Sequence, residues 1–142
     1  IAYTAGALDI RYAHLALALS DDPEIKKFAS LMIRDHTAIN NKALALVKKL
    51  NITPQDNAMS QQLVTGGKKL LKEFSQLRGE AFAKRYAENE LGYHQLVVKT
   101  IDGTFLKIAK NEDLKALLRG ANKTFKVHEG HAAAMNAYAQ RL

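Results

Sequence analysis

Along most of this chain apolar residues recur at intervals of three and four, the spacing of one face of an α-helix. A first segment, about Tyr3 to Leu19, is almost wholly small or apolar, which predicts a buried helix. Ser20-Asp21-Asp22 followed by Pro23 is a helix start, a capping side chain and then proline at the first helical position, and it opens a second helix running to about Leu50. Asn51-Ile52-Thr53-Pro54 breaks that helix. Thr53 is the expected cap of a shorter third helix that ends near Gln76 and is weakened at Gly66-Gly67. Gly79 opens a fourth helix reaching about Lys110, and Asn111-Glu112-Asp113 caps a fifth that runs to the C-terminus. The second, fourth and fifth are each about 30 residues, roughly 45 Å long. Short connections make sequential neighbours antiparallel, so the pattern predicts one all-α domain over residues 1–142, an up-down helical bundle. The shorter third segment is either a crossover or a fifth packed helix.

The core register of these helices is interrupted by polar residues. On the second helix it reads Ile25, Ala29, Met32, His36, Ile39, Ala43, Leu46, Leu50; on the fourth, Ala83, Ala87, Glu90, His94, Val97, Ile101. On the fifth it reads Leu114, Leu118, Ala121, Phe125, His128, Ala132, Met135, with His131 close to the same face. The first helix carries Asp9 among Ala5, Gly6, Ala13 and Ala16. His36, His94 and His128 each stand about 14 to 16 residues from a helix end, and in an antiparallel bundle such mid-length positions share one layer. An unpartnered polar group in an apolar core costs a few kcal/mol and a charge costs more, so several at one level require each other or an ion.

A metal ion satisfies several imidazoles and carboxylates at once. The expected ligands are therefore His36, Glu90, His94, His128 and His131, with Asp9 a further candidate. His128 and His131 have chelating spacing, as do Glu90 and His94. Asp35, Asn40, Tyr86 and Tyr93 are candidate partners that orient the imidazoles, and His14 falls on another face of the first helix, as packing. With no cysteine in the chain, the donor set is nitrogen and oxygen only, which suits a divalent transition metal (zinc, copper, nickel or iron) without choosing among them.

Composition changes this picture little. In 142 residues, 47% are hydrophobic and 25% charged, ordinary values for a globular chain, and no apolar run approaches the roughly 20 residues of a membrane span. The net charge of +7 comes as scattered lysine pairs without a basic run or interleaved aromatics. That pattern excludes a nucleic-acid partner and leaves some attraction to anionic surfaces. There is no phosphate-binding glycine loop, no HExxH and no nucleophile elbow. The sequence is silent on oligomeric state.

The segments Asp22-Pro-Glu-Ile-Lys-Lys-Phe-Ala, Arg34-Asp-His-Thr-Ala-Ile-Asn, Leu44-Ala-Leu-Val-Lys-Lys-Leu-Asn-Ile-Thr-Pro and Tyr86-Ala-Glu-Asn-Glu-Leu-Gly-Tyr-His, together with His128-Glu-Gly-His131, resemble a bacterial exported family, the domain of unknown function 4142. Its members are often labelled outer-membrane proteins. The resemblance covers essentially the whole chain and implies a ferritin-like bundle, four main helices plus one shorter crossover helix, located in the periplasm. The chain opens on Ile1 rather than Met, and the expectation is an exported protein whose signal has been removed. The family supplies no activity. Di-iron bundles use paired Glu-x-x-His motifs, whereas this chain has Glu90-x-x-x-His94 and His128-x-x-His131. The expectation is metal carriage, sensing or storage rather than catalysis. The alternatives are a non-catalytic envelope or stress interaction module with a purely structural polar layer, and a di-metal oxidase.

Overall fold

The computed structural model describes residues 1–53 and 57–142, so the Pro54 helix break lies outside the described residues. The chain is all-α, with no strand among the described residues. Its elements are α1 (Ala2–Leu19), α2 (Pro23–Lys49), α3 (Ala58–Ser75), α4 (Gly79–Thr100), a π-helical turn (Ile101–Phe105), the one-turn α5 (Leu106–Ile108) and α6 (Glu112–Gln140). They form two compact units, Ile1–Ala83 and Lys84–Leu142, and the division falls within α4.

Side-chain caps fix the starts of α2, α3 and α6. The Asp22 carboxylate accepts from the Glu24 and Ile25 amides at 2.9 and 3.3 Å, with Pro23 at the first helical position. Asn111 caps α6 through the Leu114 amide at 2.9 Å. The cap of α3 is Asn57, whose side chain accepts from the Ser60 amide at 2.9 Å, and Thr53 stands outside the helix. At the other end of α2, Asn51 adopts φ 52°. The Asn51 amide bonds the Lys48 carbonyl and the Ile52 amide the Val47 carbonyl, at 3.1 and 3.2 Å. This is a Schellman stop built on asparagine, which tolerates the left-handed region better than most residues.

In the first unit α1 packs against both α2 and α3. Its small residues make this geometry accessible. A Cβ on Gly6 would lie 2.7 Å from Asn40 Oδ1, and a Cβ on Gly67 of α3 would lie 2.6 Å from Leu8 Cδ2. Each glycine is therefore a place where a neighbouring helix approaches closely. The weakness of Gly66-Gly67 noted in the sequence does not interrupt α3, because Gly67 is where α1 docks. Above that approach Tyr12 and Phe74 meet edge to face at 5.7 Å, and Phe74 meets Phe82 at 6.0 Å.

In the second unit the fourth helix is not continuous to Lys110 as the pattern predicts. It passes into a π-helical turn at Ile101 and stops at Ile108. Gly103 is a weak helix former, and the Thr100 hydroxyl donates to the Leu96 carbonyl at 2.8 Å, so the i,i−4 ladder is least secure here. The wider turn carries Asp102 to α6, where its carboxylate accepts from Asn122 Nδ2 at 2.7 Å and meets Lys126 Nζ at 3.3 Å. The apolar face of α6 is Leu118, Ala121, Phe125, Ala132, Met135 and Ala139.

Candidate metal centre

Five titratable side chains of the expected set are buried almost completely: Asp9 at 0%, His36 at 1%, Glu90 at 0%, His94 at 0% and His128 at 1% exposure. Carboxylates and imidazoles are rarely so buried unless held by hydrogen bonds, counter-charges or a metal. Each unit arranges its share differently.

In the first unit, Asp9 on α1 faces His36 on α2. Asp9 Oδ2 and His36 Nε2 lie 3.0 Å apart. The close helix approach around Gly6 makes this short side-chain reach sufficient. One helical turn further along α2, the buried Asn40 donates through Nδ2 to the Tyr3 carbonyl at 3.3 Å, so Asn40 locks the two helices in register rather than orienting an imidazole. Asp35 is held at the surface by Arg34, with Nε to Oδ1 at 2.9 Å.

In the second unit, Glu90 and His94 are one turn apart on α4. His94 Nδ1 lies 2.8 Å from the Glu90 carbonyl oxygen and 3.5 Å from Glu90 Oε2. A carbonyl oxygen can only accept, so this bond places the proton on Nδ1 and leaves the ring's electron pair on Nε2. That is how a main-chain carbonyl commonly fixes a metal-binding imidazole. The His128 ring, from α6, stands edge-on to His94 with centroids 5.4 Å apart, and Phe125 closes on both. Tyr93 packs edge-on against His94 at 5.3 Å. Tyr86, fully buried, shares the inner face of α4 with Glu90.

Buried His, Asp and Glu side chains of this set come close enough together to hold a metal ion. His131 does not join them. It is exposed, because three residues beyond His128 the helix has already turned past the apolar stripe, which resumes at Ala132. His14 is exposed as well, and is surface rather than packing. Sequence reasoning missed the Asp102–Asn122 pair. Asn122 adjoins the core residue Ala121, and Gly103 inside a helical pattern is the one signal that the ladder would shift.

The chain belongs to the family described as Domain of unknown function (DUF4142), whose family model matches residues 1–135. No curated protein and no solved structure matches it.

Proposed function

We propose that this member of the DUF4142 family binds one divalent transition-metal ion. In this reading the ligands are drawn from the buried set Asp9, His36, Glu90, His94 and His128. The carrying observation is the burial of imidazoles and carboxylates close enough together to hold a metal. Two further points support it. Donors bound to one ion at about 2.0–2.2 Å each, at right to tetrahedral angles, stand about 3 Å apart, and Asp9 and His36 are 3.0 Å apart. The donor set is sulfur-free and rich in imidazole, which fits zinc, copper, nickel or iron. The reading extends to carriage, sensing or storage in the periplasm rather than catalysis.

A second reading has its own observation. Asp9 pairs with His36, and His94 bonds its own helix, so the buried groups have internal partners without an ion. They would then serve only to fix helix register, as in a non-catalytic envelope module. Metal titration of the purified chain separates the two. The metal reading requires one equivalent retained after desalting and a melting temperature raised by several degrees at ligand saturation. Sub-stoichiometric metal with an unchanged melting temperature supports the register reading. Ferrous iron with no oxygen consumption removes a di-metal oxidase.

A further inference from the structure

We infer that Asn122, bonded to Asp102 of the π-helical turn, is the positioning residue that holds the His128 ring against His94. Both residues and both rings lie in the unit Lys84–Leu142. The ring geometry is independent of any ion, and only its consequence for metal affinity rests on the metal reading.

The His94 and His128 rings meet edge-on with centroids 5.4 Å apart, and Phe125 stands 6.4 and 6.1 Å from them. Apolar and ring contacts hold two helices together without fixing how far one slides or turns on the other. A hydrogen bond is directional, with narrow limits on distance and angle. The bond that ties α6 to the segment following His94 runs from Asn122 Nδ2 to Asp102 Oδ1, at 2.7 Å.

Its place on the two elements suits that task. His94 precedes Asp102 on one element and Asn122 precedes His128 on the other, so the two run antiparallel. Asn122 stands six residues before His128, about 9 Å along α6. It follows the core residue Ala121 directly, so it is displaced about 100° round the helix, to the flank of the apolar stripe. Asp102, eight residues after His94, falls about 80° round an ideal α-helix from that ring, again on a flank. A bond between the two flanks opposes both sliding and rotation of α6, the movements that would carry His128 away from His94.

The π-helical turn needs such an anchor. Its Leu106 amide reaches back five residues to the Ile101 carbonyl, and Gly103 lends the turn no side chain. The ion pair between Lys126 and Asp102, at 3.3 Å, is about half exposed on both sides and contributes little. Asn122, by contrast, is buried, and its Oδ1 meets no donor among the described residues. A buried amide satisfied on one side only adds little net stability, so what it contributes is direction.

The test is nuclear magnetic resonance of the full, metal-free chain, reading the nuclear Overhauser cross-peak between the His94 and His128 ring protons. The unsubstituted chain is expected to show it, and Asn122→Ala and Asp102→Ala are each expected to lose it. Asp102→Asn keeps an oxygen that accepts from Asn122 and is expected to retain the cross-peak. Gln140→Ala removes another α6 bond, to the Lys84 carbonyl at 3.3 Å, and should leave it unchanged. Backbone spectra check that each variant is folded, and Asp102→Ala, at a half-exposed position, carries the test if Asn122→Ala does not fold. Absence of the cross-peak from the unsubstituted chain, its persistence in Asp102→Ala, or equal loss in Gln140→Ala would each overturn the inference. Zinc titration of the same set addresses the ion. Asn122→Ala and Asp102→Ala should bind about tenfold more weakly, and Asp102→Asn within about twofold of the unsubstituted chain. An unsubstituted chain that binds no zinc while the cross-peaks follow this pattern would remove the metal reading and leave the positioning role standing.

Discussion

In the unit Ile1–Ala83 a carboxylate on one helix meets an imidazole on another, whereas in Lys84–Leu142 carboxylate and imidazole sit on one helix and a second imidazole arrives edge-on. The Asp9–His36 contact depends on tertiary packing, because α1 and α2 must be close for it to exist. The Glu90–His94 arrangement is built into the i,i+4 spacing of α4 and forms as soon as the helix does. One pair therefore reports on helix docking, and the other is preset by local structure. Only His128 makes the second set depend on packing as well.

Removing one imidazole from each side tests that contrast most strongly. On the metal reading, His36→Ala and His94→Ala should each weaken metal binding at least about 100-fold in calorimetric titration, since each would delete a ligand rather than an outer partner. If one of them leaves affinity intact, that imidazole is not a ligand. Without metal the comparison turns on stability. His36→Leu removes the 3.0 Å partner of the buried Asp9 and should cost about 3–5 kcal/mol by urea denaturation. Adding Asp9→Leu should restore most of that loss, because two apolar groups need no partner. A double variant as unstable as the single would mean that Asp9 depends little on His36.

Backbone proximity in the first unit can be probed at adjacent glycines. Gly67→Ala places a methyl group against Leu8 and should destabilise by about 1–3 kcal/mol, while Gly66→Ala, with open space around it, should stabilise by up to about 1 kcal/mol. Matching signs would show that α1 does not approach α3 at Gly67. The smallest effect belongs to the π-helical turn. Asn122→Ala deletes the bond to Asp102 and should cost about 1 kcal/mol, with amide hydrogen exchange accelerated across residues 101–105.

The helices and the identity of the buried polar groups were legible in the sequence for the same reason. Helical periodicity assigns each residue to an inner or outer face, and His36, Glu90, His94 and His128 occupy inner positions without ambiguity. His131 was misplaced because an i,i+3 step lands near the edge of a stripe, where the boundary is set by neighbours that periodicity does not contain. Asn57 rather than Thr53 caps α3, a choice between two competent residues that local chemistry alone leaves open. The π-helical turn was illegible for a different reason. Gly103 and Thr100 weaken the ladder, but the shift is held by Asp102 reaching Asn122, twenty residues away. Long-range side-chain bonds of this kind, including Asn40 to Tyr3, leave no periodic trace.

X-ray absorption at the metal edge of the loaded chain, compared with the His36→Ala and His94→Ala variants, tests the central claim most directly. The account predicts a first shell of nitrogen and oxygen only, with the outer-shell scattering of several imidazoles, and a loss of one imidazole's signal in each variant. A shell of water oxygens, or an imidazole signal that neither substitution changes, would contradict it.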